Sequence, residues 1–430
     1  MTRIFENPDS MDSEPPSLPA SEVAPAPLAA PLPRVRLPNA TGGKAYRAAI
    51  DLASHDLPDL RIAAIDELAP LGLTFDVERQ TLAGTPVGST ETRELALDAR
   101  LATASGLQLE GTAKILLLIN PDPRSLWKDI APDETAPFAK PSRASSQLAF
   151  GDHIALGASV RGRSHANVGS FREDDFQIVH DPASGWLVLA VSDGAGSAKL
   201  SREGSRLATT AAATTLMAGI QALTTTVAEL PATPPDEKTL ETLHDQSLEA
   251  LGRAAHDACR AIGDAAKAVE ASEKDFASTL LIAAVRPCLA GMFIASYWVG
   301  DGALAVFAGD KVEVLGDGDS GEFSGQTRFL MASELNKGWS EISRRVRVRV
   351  VPELTALALM TDGVSDPKFG TDRRLRDPEA WRAFWNDDLG QGLGDRLASG
   401  LEQRLLSWLE FWSPGEHDDR TLVLLFQEHR

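Results

Sequence analysis

Three carboxylate turns are strung through this 430-residue chain: Ser192-Asp193-Gly194-Ala195-Gly196, Thr361-Asp362-Gly363-Val364-Ser365-Asp366 and His417-Asp418-Asp419-Arg420-Thr421. Each borders an apolar run, over residues 185–191, 354–360 and 422–426 respectively. Runs of that length and composition predict buried strands, so the acids are held at strand ends. Carboxylates gathered in this way call for a cation. Hard oxygen ligands select Mg or Mn over Zn, and a pair of such ions suits in-line attack on phosphorus.

The order of the turns resembles that of the metal-dependent (PPM, or type 2C) protein Ser/Thr phosphatases, and further motifs support it. Arg172-Glu173-Asp174-Asp175-Phe176 looks like the family's early acidic motif, with Asp174 at the usual aspartate. Phe276-Ala277-Ser278-Thr279-Leu280-Leu281 and Tyr297-Trp298-Val299-Gly300-Asp301-Gly302 are similar to its threonine-containing strand and its Gly-Asp-Ser turn. One Asp-Gly means little, since it is a common turn dipeptide; the ordered set, over about residues 155–427, is specific.

The resemblance implies two Mn2+ or Mg2+ ions, with a weaker third. Asp193 would bridge the two ions, Asp362 and Asp418 would hold one, and the carbonyl of Gly194 with several waters would hold the other. Glu173 and Asp174 would accept hydrogen bonds from the water on the ions, and Asp174 counts with the metal-binding set. Asp301, with Asp366 nearby, matches the third-ion positions. Asp419 could exchange roles with Asp418, which is preferred because Asp-x-x-Thr leads directly into the last strand. A phosphate monoester dianion repels anionic nucleophiles, so such a site must bring positive charge and an ionised water at neutral pH.

Two positions depart from the family pattern. Ala195 stands where many members carry a His, and Gly169 stands where a phosphate-binding Arg is usual. Arg163 or Arg172 could reach the phosphate instead. Arg163 is preferred, since an Arg beside a turn can form a bidentate clamp, and a solvated surface Arg is the alternative. His165 is read either as an aid to proton transfer or as a hydrogen-bonded loop residue.

The elements that must position these residues follow from pattern. Residues 201–224 and 240–272 are rich in Ala, Leu and Glu and predict long helices. The fold expected is α+β: an α-β-β-α sandwich of two antiparallel sheets, with that pair on one sheet and shorter helices over 378–385 and 393–412 on the other. Residues 288–308 could be mistaken for a membrane span, but Gly300-Asp301-Gly302 interrupts them, and two strands joined by a tight turn are expected. The Gly-rich segment 317–327 is expected to be a mobile flap that selects substrate. A calcium loop using Asp317, Asp319 and Glu322 lacks the remaining ligands.

Upstream the composition changes. Residues 1–34 are a Pro-, Ala- and Ser-rich leader with no apolar period to bury. Residues 35–120 show short apolar runs between Gly, Pro and Asn turns, and an all-β module is expected. Within it, residues 37–46, 72–76 and 81–86 look like the opening strand and central turn of bacterial immunoglobulin-like (cadherin-like) domains, with a closing strand over 112–120. Such a module is a spacer or a protein-binding surface. Residues 121–150 read as a linker whose Trp127 and Phe138 pack on a domain, and residues 151–430 read as the phosphatase domain. A Pro- and Trp-bearing linker beside this phosphatase type resembles bacterial proteins encoded with a Ser/Thr kinase and a von Willebrand A-type protein.

Bulk composition narrows the functions. A content of 43% hydrophobic residues supports real cores, while a net charge of −19 argues against nucleic acid and anionic membranes. Two cysteines are too few for a disulfide framework. The N-terminus lacks the apolar core of a secretory signal, so a cytoplasmic protein is expected. The reading is a protein Ser/Thr phosphatase acting on a phosphoprotein. The alternative is a phosphopeptide-binding scaffold, which Ala195 and Gly169 keep open.

Overall fold

The computed structural model describes residues 34–55, 57–309, 311–316, 327–335, 338–394 and 399–427. The chain divides into two compact units, residues 1–127 and 128–430. The leader, apart from Arg34, and the expected flap, apart from Thr327, lie outside the described residues.

The first unit is built from strands β1 (Arg34–Arg36), β2 (Ala40–Thr41), β3 (Tyr46–Ala49), β4 (Leu60–Ile65), β5 (Leu73–Asp76), β6 (Thr81–Gly84), β7 (Arg93–Thr103) and β8 (Gln108–Asn120). One sheet runs β1-β8-β7-β4, with β2 also on β8, and a second runs β3-β6-β5. On β8, Ala113, Ile115, Leu117 and Ile119 point into a core with Ile62, Leu82 and Leu101, while the residues between them stay half-exposed. That period of two is what a sheet with one buried face requires. The expected all-β module is therefore present as two sheets.

The second unit explains why its strands read as unbroken apolar runs: both faces of each sheet are covered. One sheet contains β9 (Arg143–Phe150), β10 (His153–Val160), β15 (Ala303–Ala308), β16 (Lys311–Val314), β18 (Ala356–Met360) and β19 (Arg420–Gln427), ordered β16-β15-β18-β19-β10-β9. The other contains β11 (Asp175–Asp181), β12 (Trp186–Ser192), β13 (Leu280–Cys288), β14 (Gly291–Val299) and β17 (Val346–Val351), ordered β11-β12-β13-β14-β17. Leu187, Leu189 and Val191 of β12 meet Leu357 and Leu359 of β18 and Val423 and Leu425 of β19 between the sheets.

The opposite faces take helices. Trp186, Val188 and Ala190 pack beneath α2 (Ser201–Ile220) and α4 (Glu237–Ala268), where Ala208, Ala212, Ala254 and Ala258 let the helices settle closely. Although residues 201–228 are long and apolar enough to cross a membrane by composition, α2 serves here as a layer of the sandwich. Leu422, Leu424 and Phe426 pack beneath α9 (Pro378–Ala383) and α11 (Leu401–Leu409). The α-β-β-α expectation holds, but the helix expected over 393–412 is described only over Leu401–Leu409, after a short helix Gly390–Leu393, and the helix expected over 378–385 ends at Ala383 and runs on as a π-helical turn at Phe384–Leu389.

The two strands expected over 288–308 are present as β14 and β15, joined by the short turn Gly300-Asp301-Gly302, which carries the chain from one sheet to the other. One expectation needs correction. The linker expected over 121–150 is shorter, because Arg143–Phe150 pairs with β10 along its whole length. Its small polar residues alternate on the solvent side of an edge strand, so no apolar run advertised it. Phe138 does pack, edge-on to Phe276 with ring centroids 6.2 Å apart.

Candidate active site

Antiparallel pairing brings the acids to one end of the sandwich. Asp175 at the start of β11 faces Ser192 at the end of β12, so Asp174 and Asp193 leave the first sheet side by side. Met360 at the end of β18 faces Leu422 near the start of β19, which does the same for Asp362 and Asp418 in the second sheet. The two sheet ends meet at Asp174, fully buried. Its Oδ2 accepts hydrogen bonds from the Thr361 hydroxyl at 2.8 Å and the Thr421 hydroxyl at 2.7 Å.

Local contacts fix each loop. The Asp193 N–H donates to Thr279 Oγ1 at 2.8 Å, and the Thr279 N–H returns to the Asp193 carbonyl at 2.8 Å. The threonine-containing strand thus holds the first turn by its backbone. A Cβ at Gly194 would lie 2.8 Å from the Glu173 carbonyl oxygen. Asp362 opens helix α7 (Asp362–Phe369), and a Cβ at the next residue, Gly363, would come within 1.8 Å of the Asp419 carbonyl oxygen. In both turns glycine follows aspartate because backbone must pass where a side chain cannot fit. Glu173 accepts from the Ser201 hydroxyl at 2.7 Å, at the start of α2.

Asp418 and Asp419 have distinct surroundings. Asp419 is 1% exposed and accepts from the N–H of Gly162 at 2.5 Å, from the N–H of Glu173, and from His165 Nδ1 at 2.9 Å. Asp418 is solvent-facing, and its Oδ1 accepts the Asp419 N–H at 2.8 Å. His165, in α1 (Arg163–Val168), also lies 3.9 Å from Glu173 Oε2 through Nε2.

Residues 161–410, more than half of the chain, match the protein phosphatase 2C family. The chain belongs to that family. It is a protein serine/threonine phosphatase, of a class whose members are metal-dependent. Similar solved structures include serine-threonine phosphatase 2C from Toxoplasma gondii, at 14% identity over 67% of this chain and 99% of that one, with a TM-score of 0.40. Stp1 from Staphylococcus aureus gives 15%, 63%, 94% and 0.36 in the same order. MsPP from Mycobacterium smegmatis, in complex with cacodylate, gives 19%, 65%, 99% and 0.31. No match to the chain is found among curated proteins.

The phosphatase end of the sandwich is electrostatically strained. Burial, then Asp362 and Asp174, push the Asp193 carboxyl well above the usual range. Burial, then Asp301 and Asp418, do the same to Asp362. Asp174 is pushed up to about 7 by burial and the Asp419 charge, and Asp366 to about 6 by burial and Asp301. Burial also raises Glu173, and desolvation within the acid cluster together with the Asp419 charge raises Asp418 although it keeps a face to solvent. Asp419 goes the other way: burial would raise it, but His165 and the N–H donors hold it below the ordinary carboxylate range.

These residues suit hard divalent ions. Oδ1 of Asp174, of Asp301 and of Asp362 are buried without a hydrogen-bond donor, which is costly for carboxylate oxygens unless a proton or cation is shared. Among the described residues, His165, Asp418 and Asp419 form one set whose donor atoms all lie within 4.8 Å. That set reads as an ion pair rather than three ligands. Burial would lower His165, but the Asp419 hydrogen bond and the surrounding charges raise it to about 9, so the ring carries a proton where ligation needs a free nitrogen.

Neither candidate Arg is disposed as a phosphate clamp. Arg163 donates to the carbonyls of Phe411 at 3.1 Å and Glu410 at 2.8 Å, and its guanidinium lies over Trp412. Arg172 is 2% exposed and donates to the Asp174 carbonyl and, at 2.7 Å, to Ser159 Oγ. Asp301 sits at the crossing between sheets, where its Oδ2 accepts from the Thr327 hydroxyl. Asp366 lies one helical turn beyond Asp362. Sequence reading assigned no role to Lys140, placed in the linker, or to the structural pairing of His165 with Asp419. A His two residues after a Gly-Arg pair carries no signal of its partner when that partner is 254 residues away.

Proposed function

We propose that the phosphatase works with Mn2+ or Mg2+ ions at the common end of its two sheets, and that the substrate is a phosphoserine or phosphothreonine protein. When bound, a pair of divalent ions supplies the positive charge that admits a phosphate dianion and lowers the pKa of the attacking water. Asp193, at the end of β12 and near enough to Asp362 to feel its charge, would hold the ions together with the Gly194 carbonyl beside it. Asp362 and Asp418 supply oxygens from the second sheet. Asp174 and Glu173, held by Thr361, Thr421 and Ser201, are suited to accept hydrogen bonds from the attacking water and orient it. Asp301 and Asp366 are suited to a weaker third ion.

The observation that carries this reading is the set of buried carboxylate oxygens without donors on Asp174, Asp301 and Asp362, beside the carboxyls of Asp174, Asp193 and Asp362, which burial and then neighbouring acids push upward. Such a cluster is stabilised by cations. The scaffold alternative is not favoured, since it gives no reason to keep this repulsion. Release of phosphate from a phosphothreonine peptide, with Mn2+, Mg2+ or Ca2+, is the direct test. Activity that survives chelation, or an Asp193→Asn variant as active as the parent, would overturn the reading.

Around this centre, the proposal extends to an immunoglobulin-like character for the all-β unit and a role as spacer or protein-docking module. A cytoplasmic signalling role beside a Ser/Thr kinase and a von Willebrand A-type protein follows from the sequence resemblance and is tested by co-purification.

A further inference from the structure

Residues 128–142 lie outside the stretch that matches the family, yet they are pinned across the early acidic motif by four cationic side chains. Arg161 donates to the Ile130 carbonyl at 3.1 Å and to Asp129 at 2.6 Å. Arg202 donates to the Pro137 carbonyl at 2.7 Å and the Phe138 carbonyl at 3.2 Å, and Arg172 to the Pro141 carbonyl at 3.2 Å. The fourth, Lys140, reverses the pattern: it comes from the segment itself and reaches inward. Its side chain is 8% exposed although Ala139 and Pro141 on either side are exposed.

An ammonium has three donors and no acceptor, and a buried one must place all three. Lys140 Nζ does so, on the Asp174 carbonyl at 2.8 Å, the Arg202 carbonyl at 3.1 Å and Asp175 Oδ2 at 2.9 Å. Two of these acceptors belong to the acidic motif and one to the first turn of α2, the turn whose Ser201 holds Glu173. A tripod of this kind fixes the backbone on which Glu173 and Asp174 are mounted.

We propose that residues 128–142 form a strap integral to the catalytic unit and that Lys140 is a positioning residue, setting Asp174 and Glu173 for the metal centre. The inference rests on the reading of the acidic cluster given above. Groups that orient a metal site from behind typically change metal affinity or activity by about 10–100-fold when removed.

The test is Lys140→Met in the full chain, which keeps the stem and loses the three donors. Half-saturation by Mn2+ should rise about tenfold, read both from phosphatase rate and from the Mn2+-induced increase in melting temperature. Lys140→Arg, which keeps charge and donors, should recover a substantial part of both. A Lys140→Met protein that is folded and responds to Mn2+ like the parent overturns the proposal. So does failure of Lys140→Met and Lys140→Gln alike to fold, which would make the residue purely structural. Asp193→Asn separates the two layers: if that variant stays active the metal-phosphatase reading fails, whereas an inactive Asp193→Asn beside a parent-like Lys140→Met sinks only the strap.

Discussion

The two sheets of the phosphatase unit bring comparable acids to the same end of their sandwich but hold them differently. On the first sheet, Asp193 and Asp174 are fixed from behind by Thr279, Arg172 and Lys140, and Glu173 by Ser201. On the second, Asp362 keeps a buried oxygen without a donor and Asp418 faces solvent, while the bracing converges on Asp419 instead. Chemistry and structure are therefore merged on one side and divided between two neighbouring aspartates on the other. The lesson is that a pair of adjacent carboxylates can share one turn in opposite settings, one buried and kept charged by donors and one facing solvent.

That contrast can be broken most directly at Asp193. Asp193→Asn should lower kcat by about 10³-fold or more if, as proposed, it holds the ions, since metal ions supply several kcal/mol of charge stabilisation. Its melting temperature near pH 7.5 should not fall, since a repelling charge has been removed. Phosphate release at saturating Mn2+, beside a thermal melt, checks both halves.

The division within the second sheet makes a paired prediction. Asp418→Asn should weaken Mn2+ binding by about 10–100-fold and leave urea stability nearly unchanged. Asp419→Asn should cost about 2–4 kcal/mol of stability, because buried donors and the His165 charge lose their partner. Urea titrations of the two variants would exchange their outcomes if the aspartates had exchanged roles.

Smaller effects sharpen the link between sheets. Thr361→Val and Thr421→Val each remove one hydroxyl from Asp174 Oδ2 and should cost about 1 kcal/mol each. The pH dependence of the metal-free protein follows from the same residue. Asp174 at about 7 and Asp366 at about 6 titrate above their ordinary 3.8. Their contribution to stability is complete below that value and is lost as pH rises through 6 to 7. Melting temperatures in chelator should decline from pH 5 to 7.5, and Mn2+ should flatten the slope by competing with protons. A rise over that window would contradict the strained cluster. The smallest expected change is Arg163→Met: kcat/KM within about threefold and stability lower by about 1–2 kcal/mol, as befits an Arg holding helix-end carbonyls.

Much of this was legible from residue order. Strands β12, β18 and β19 announced themselves because both of their faces are buried, and the acids at their ends could be named individually. Strand β9 could not be found, since an edge strand needs only one inward face and Arg143–Phe150 alternates small and polar residues. Lys140 was hidden for a different reason. Its partners lie 34 and 62 residues away and two of them are backbone carbonyls, which leave no trace in residue type. The contacts of Arg163 with the Phe411 and Glu410 carbonyls could not be foreseen, because a guanidinium suits a phosphate and a helix end equally well.

Strand β19 lies in the interior of its sheet, between β18 and β10. β10 has been synthesised some 260 residues before its partner exists. During translation the earlier strands must wait with an open seam, and the centre cannot assemble until residue 427 has left the ribosome. Prematurely ended chains should thus be inert as phosphatases and sticky, whichever acids they already contain.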